Sequence, residues 1–205
     1  MITIVTSRFN NDTWRENCEY KQRLNIQGCI YCSPQQLSSK IHPNSLVFVV
    51  EMNNSTNQIQ GVGLIFNKIQ FDRYYKVYQI GNYNRYTYKS DYRLDRSQLL
   101  EDYPALVYIL DYILFKEKTH LKRGSGMTQI PEKLLRHHKC GEINIVGELK
   151  LLFKRYFTIS LEKTEETGET EETEETEETE ETEETEETEE TEETEETKET
   201  QEITS

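Results

Sequence analysis

The chain has no apolar run long enough to cross a bilayer. Its longest apolar stretches are Leu46 to Val50 and Ala105 to Phe115, the second broken by Asp111, whereas a spanning helix needs roughly 18 residues. A signal peptide is missing too, since Met1 leads straight into Ile2-Thr3-Ile4-Val5 without a basic flank or a small-residue cleavage site. From these absences the chain is expected to be intracellular, cytoplasmic or nuclear, with neither secretion nor a membrane partner. Cys18, Cys29, Cys32 and Cys140 are then expected as reduced thiols, and Asn53-Asn54-Ser55-Thr56 as a turn without a glycan. No catalytic pattern of carboxylates or activated nucleophile is present. Asp91 with Asp95, and Glu117 near Lys118 and His120, come nearest. The chain is therefore expected to be non-enzymatic, a nuclease using Asp91 or Glu117 being the enzymatic alternative.

The last 44 residues lack every aromatic: all thirteen Tyr, all seven Phe and the single Trp14 precede residue 162. What they hold is Thr-Glu-Glu, with Thr at every third position from Thr164 to Thr200. Residues 162–205 carry 24 Glu against Lys163 and Lys198, a net of −22, so the chain's −14 leaves +8 for residues 1–161. A period of three turns 300° per repeat on a helix and alternates no two faces on a strand, so no apolar stripe forms. A disordered acidic tail is the expectation. Its roughly 40 residues reach ~35 Å, against ~15 Å for the radius of gyration of the body. The repeat reads either as a tolerated passenger or as a tethered polyanion that masks a basic surface.

Residues 1–161 suit one basic domain. Thr3 to Thr6 reads as a strand, and Asn11-Asp12 before Thr13-Trp14-Arg15-Glu16 as a helix start running to about Arg23. Gly28 to Cys32 is a short strand. Leu46 to Met52 and Ile59 to Phe66, joined by Asn53-Asn54-Ser55-Thr56-Asn57, make the clearest hairpin. Tyr86 to Tyr92 suits another strand, Leu99 to Phe115 a helix with Pro104 near its start, and Pro131 to Leu135 a further helix start; Ile143 to Phe157 is strand or helix. The fold class is α+β, a small β-barrel with flanking helices.

Two segments suggest ligand chemistry. Arg73 to Arg93 interleaves Arg73, Lys76, Arg85 and Lys89 with Tyr74, Tyr75, Tyr78, Tyr86 and Tyr88. Rings stack on exposed bases while the cations neutralise phosphates, although a half-buried strand shows the same alternation without any ligand. Lys122-Arg123-Gly124-Ser125-Gly126 offers two cations, a hydroxyl and flexible amides, which can cradle a phosphate or form an ordinary turn. Cys29-Ile30-Tyr31-Cys32 has zinc-like spacing, with His137, His138 and Cys140 to complete a set. Cysteines three apart on a strand face opposite sides, however, and neither metal nor cofactor is expected.

Gly28-Cys29-Ile30-Tyr31-Cys32-Ser33-Pro34, Ser45 to Ser55, Gln58 to Leu64 and the late block Lys118 to Pro131 follow an order that resembles the YTH domain and its EVE relatives, of the PUA-like superfamily. The similarity runs over roughly residues 2 to 136, and relatives among proteins of large DNA viruses are expected. The resemblance implies a barrel that holds a flipped, modified base in an aromatic cage: methylated adenosine in RNA for YTH, modified bases in DNA for some EVE-type readers. It implies Tyr31 as the first cage wall, Cys32 and Ser33 beside the base, Ser7 at the end of the opening strand, and Tyr74, Tyr75 or Tyr78 as the second wall. Lys122 and Arg123 would contact the nucleic-acid backbone, assisted by Arg73 or Arg85. The chain departs from the pattern in its single Trp, which rules out a paired Trp cage, and in Arg8, which stands where a base-reading Asn is usual.

The expected function is nucleic-acid binding, RNA before DNA, with capture of an unpaired or modified base and the acidic tail as a self-masking arm. The alternative is a protein-interaction module whose tail engages basic proteins.

Overall fold

Strand formation is clearest at Leu46 to Asn53, where the Val-rich run LVFVVEMN is buried along its whole length, as a central strand covered on both faces must be. The structure is a computed structural model of the chain and describes residues 2–116 and 120–157. This strand is β3; β1 (Thr3–Phe9) lies parallel to it and β4 (Gln58–Phe66) antiparallel. With β6 (Tyr92–Asp95) outside β4 and β7 (Thr128–Gln129) outside β1, they form a mixed sheet in the order β6-β4-β3-β1-β7. β2 (Cys29–Ser33) and β5 (Tyr86–Ser90) pair as a separate antiparallel ribbon.

Side-chain alternation along β3 builds two cores. Phe48, Val50 and Met52 join Ile4, Val62 and Leu64 under α2 (Arg96–Asp102), α3 (Pro104–Phe115), α4 (Glu132–Leu135) and α5 (Ile145–Phe157). There Phe153 of α5 meets Phe48 with ring centroids 5.2 Å apart. Val47 and Val49 face the other way, with Val5, Phe9 and Ile65, beneath α1 (Asn11–Arg23) and the β2–β5 ribbon. The molecule is thus a sheet between helices on one side and a helix plus a ribbon on the other.

Local chemistry sets the element ends. Asn10 caps α1: its Oδ1 accepts from the Thr13 amide at 2.8 Å, and its own amide donates to Thr13 Oγ1 at 3.0 Å. Asp95 caps α2 the same way with Gln98. The helix expected from Leu99 to Phe115 is broken at Tyr103, because Pro104 brings no amide hydrogen and starts α3 instead. Asp111 of α3 holds Arg96 at 2.7 Å and accepts the Ile59 amide at 2.8 Å, which locks α3 to β4.

The α+β class agrees with the sequence; the closed barrel does not. The strand expected from Tyr86 to Tyr92 is two strands that turn at Asp91 and change partners, β5 pairing with β2 and β6 with β4. At the far edge β7 pairs with β1 only at Val5↔Gln129 and Thr6↔Thr128 before Pro131 ends it. Two residues of edge strand cannot carry a ladder round to β6, so among the described residues the sheet stays open. No described helix is long and apolar enough to cross a membrane. The expected tail, residues 162–205, lies outside the described residues.

Candidate functional site

A cleft of about 230 Å³ opens where the parallel strands β1 and β3 end. Its wall is made by Ser7, Arg8 and Phe9 of β1, by Cys32 and Pro34 at the end of β2, by Tyr78 and Tyr83, and by the Gly124-Ser125-Gly126 loop. The carboxyl ends of parallel strands are a usual place for ligands in open sheets, because the loops there diverge and leave room.

Arg8 dominates the cleft's electrostatics. Its Nε donates to the Leu121 carbonyl at 2.5 Å, and its Nη1 to the Gly126 carbonyl at 3.2 Å and to Thr128 Oγ1 at 2.9 Å. Among the described residues no carboxylate pairs with it. The guanidinium is fixed by neutral acceptors, no described carboxylate offsets its charge, and its pKa is lowered by burial. Gly124 and Gly126 adopt φ of +109° and +70°, a region open to glycine. A Cβ on Gly124 would stand 3.8 Å from the Arg8 guanidinium, and one on Gly126 would press to 2.7 Å from Ser33 Oγ. The amides of Gly124, Ser125 and Gly126 donate to no other group among the described residues. Uncompensated cation and free amides together suit an anion. Asn54, just past the end of β3, holds the loop, its Nδ2 donating to the Lys122 carbonyl at 3.0 Å.

The opposite wall is aromatic. Tyr78 is fixed by Asn84, whose Oδ1 accepts from the Val77 and Tyr78 amides and whose Nδ2 donates to the Tyr78 carbonyl. Burial pushes its phenol pKa well up, and Tyr83 stands edge-on to it at 6.2 Å. Phe9 meets Trp14 edge-on at 5.2 Å, and the Lys21 ammonium and Arg93 guanidinium each lie 5.9 Å from the Trp14 ring.

Of the residues expected from sequence, Ser7, Cys32 and Tyr78 meet in this cleft beside the basic loop. Burial raises the Cys32 thiol to about 12, so it stays protonated. Ser33 sits behind the lining, its hydroxyl donating to the Gln35 carbonyl at 2.6 Å. Lys122 and Arg123 open the loop without lining the cleft.

Tyr31, expected as the first cage wall, is a core residue instead, 1 % exposed. β2 is buried on both faces, and the Tyr31 phenol runs inward to donate to Glu51 Oε1 at 2.8 Å. Glu51 also takes a two-pronged pair from Arg93, at 2.9 and 2.8 Å. Burial and the nearby Cys29 and Glu51 hold the Tyr31 phenol well above its usual range. Gly61 and Gly63 make room for this cluster: a Cβ on Gly63 would reach 2.2 Å from the Tyr31 hydroxyl, and one on Gly61 2.9 Å from Glu51 Oε2.

Tyr75 is buried with its hydroxyl on Asp72. Tyr74, 68 % exposed, lines a separate groove of about 490 Å³ with Glu16, Glu19, Arg23 and Lys76, and Tyr78 is common to both. Arg73 and Arg85 are exposed and lie over Tyr75 and Tyr86 at 4.9 and 5.4 Å, outside the cleft lining. Cys29, whose pKa burial raises to about 12, faces the Tyr92 carbonyl, Cys32 faces Thr87, and Cys140 lies in the other core. Among the described residues no group of three His, Cys, Asp or Glu is placed to hold a metal ion. Of the carboxylates considered for hydrolysis, Asp95 caps α2, Asp91 lies exposed in the turn, and Glu117 lies outside the described residues.

Arg8 was visible in the sequence only as a departure from a family pattern. The signal that would have found it is a charged residue at the end of a β-branched strand, with a glycine-flanked loop to meet it. No family model matches the chain, and no curated protein or solved structure matches it either.

Proposed function

We propose that the chain is a non-enzymatic nucleic-acid-binding protein, of the YTH and EVE kind and reading RNA before DNA, whose cleft takes one unpaired nucleotide. The observation that carries this reading is the uncompensated Arg8 guanidinium beside the free amides of Gly124 to Gly126. These groups would hold the phosphate. The base would lie against Phe9, Tyr78 and Tyr83, where every base presents a face to stack. At about 230 Å³ the cleft falls below the roughly 300–1,000 Å³ of sites for drug-sized ligands, which suits a single flat ring. Ser7 Oγ, which makes no hydrogen bond among the described residues, offers one contact to a base edge. Tyr31 has no part in this reading, and a cage of two opposed rings is replaced by one aromatic wall facing one cation.

Fluorescence anisotropy with short labelled single strands of RNA and DNA tests the proposal. Arg8→Ala is expected to weaken binding about 10- to 100-fold, since a hydrogen bond to a charged group is worth ~1.5–3 kcal/mol. Tyr83→Ala removes about 1–3 kcal/mol of stacking. Affinity unchanged by both substitutions would sink the reading.

A further inference from the structure

A second set of cations lies beside the cleft. Lys116, just past α3, and Lys139, in the short turn His138–Cys140, both reach the Tyr112 ring, with their ammonium groups 5.8 and 5.7 Å from its centroid. The His137 ring is 5.9 Å from Tyr112 and 4.1 Å from the His138 ring. Neither lysine has an ion pair among the described residues, and of Lys133, Arg136 and Lys139 only Arg136 is matched, by Glu132. Like charges gathered about one ring repel. The face of Tyr112 and the carboxyl end of α3 offset part of that repulsion, and an added anion would offset more.

One residue joins this face to the cleft. The Leu121 amide donates to the Leu114 carbonyl in the last turn of α3 at 2.9 Å, while the Leu121 carbonyl accepts from Arg8 Nε at 2.5 Å. The two Leu121 hydrogen bonds thus tie Arg8 to the end of α3 that Lys116 follows, and among the described residues no carboxylate pairs with Arg8, Lys122, Arg123, Lys116 or Lys139. The Tyr74 groove, the other way out of the cleft, sets Glu16 and Glu19 against Arg23 and Lys76 and has no such excess.

We infer that the face formed by Lys116 and Lys139 over the Tyr112 ring binds the phosphodiester backbone of the strand whose nucleotide occupies the cleft. This rests on the reading of the cleft as a nucleotide site. It makes the ligand a strand of several nucleotides and gives it a direction across the surface.

The test uses the full chain, a labelled dinucleotide and a labelled single strand of about 12 nucleotides, within the usual range of single-strand site sizes. The double variant Lys116→Gln/Lys139→Gln changes two exposed side chains and should leave dinucleotide affinity as it is. Binding of the long strand should weaken about 5- to 20-fold at low salt, and the slope of log affinity against log salt should fall by about 1.4, at ~0.7 for each phosphate no longer neutralised. No effect on the long strand, or equal weakening of both ligands, overturns the inference. Loss of long-strand affinity in Tyr74→Ala/Lys76→Gln alone overturns it as well, by routing the strand across the other groove. In each of these outcomes the cleft still stands if Arg8→Ala loses the dinucleotide. A parent chain that binds no dinucleotide removes the cleft reading and this inference with it.

Discussion

Two arginines of the same sheet meet opposite fates. Arg93 is clamped to Glu51 through two hydrogen bonds, with Tyr31 completing the carboxylate's partners. Burial alone would lower its pKa, but the Glu51 charge and hydrogen bonds raise it. Among the described residues Arg8 has only carbonyls and a hydroxyl for partners, and its pKa goes down. The Arg93 node is closed and neutral; at the Arg8 node no described carboxylate meets the charge. The partner, more than the arginine, separates a structural ion pair from a candidate ligand site.

The contrast breaks first at Arg93. Arg93→Ala leaves Glu51 as an unpaired buried carboxylate and should cost about 3–5 kcal/mol in urea unfolding, whereas Arg8→Ala leaves only neutral acceptors behind and should cost about 1–3 kcal/mol. Comparable losses for the two would erase the distinction.

Alkaline pH attacks the closed side next. Cys29 and Cys32 have folded pKa values near 12, raised by burial from an ordinary 9.0, and the Tyr31 and Tyr78 phenols are raised too. Groups raised on folding stabilise below their unfolded pKa, and that contribution is lost as pH climbs from about 9 towards the folded values. About 2–3 kcal/mol of stability should be gone by pH 10 from the two thiols together, at ~1.4 kcal/mol per pH unit each. A melting temperature that stays level from pH 8 to 10.5 would contradict this.

Gly63→Ala places a methyl against the Tyr31 hydroxyl and should cost about 1–3 kcal/mol through overpacking, with binding retained. Gly124→Ala should show the reverse pattern: stability changes by about 1 kcal/mol, from the strain of a positive φ, and affinity falls. The smallest expected effect is that of removing residues 164–205. Their negative charge repels any polyanionic ligand at long range, so truncation should tighten binding by a few-fold at low salt and leave it unchanged near 1 M, where screening cuts interactions beyond ~3 Å. Equal affinity of both forms at low salt removes any masking role for the repeat.

The sequence made local features legible. The Asn10 cap of α1 and the β3–β4 hairpin stand almost where residue patterns put them, because capping and alternation act within a few residues. Sheet closure did not show, since it depends on which distant edges meet; nothing near Asp91 announces that β5 and β6 belong to different sheets. The lining of the candidate cleft was half legible. Ser7, Cys32, Tyr78 and the loop at Gly124 to Gly126 do converge. Tyr31 misled because a strand buried on both faces gives no sign of which face opens on a cavity. The missed clue was Glu51, the one charge in the apolar strand Leu46 to Asn53, opposite a return strand with Gly61 and Gly63, small residues that leave room for a buried polar group and its ring.

The chain's lone indole lies between the cleft lining and the Arg93 node. Trp14 borders Phe9 of the cleft on one side and lies under the Arg93 guanidinium on the other. Indole emission follows the local field, so this ring is a built-in optical reporter. A nucleotide entering the cleft and a break of the Arg93 pair would each shift its colour, and both can be watched in the unlabelled protein.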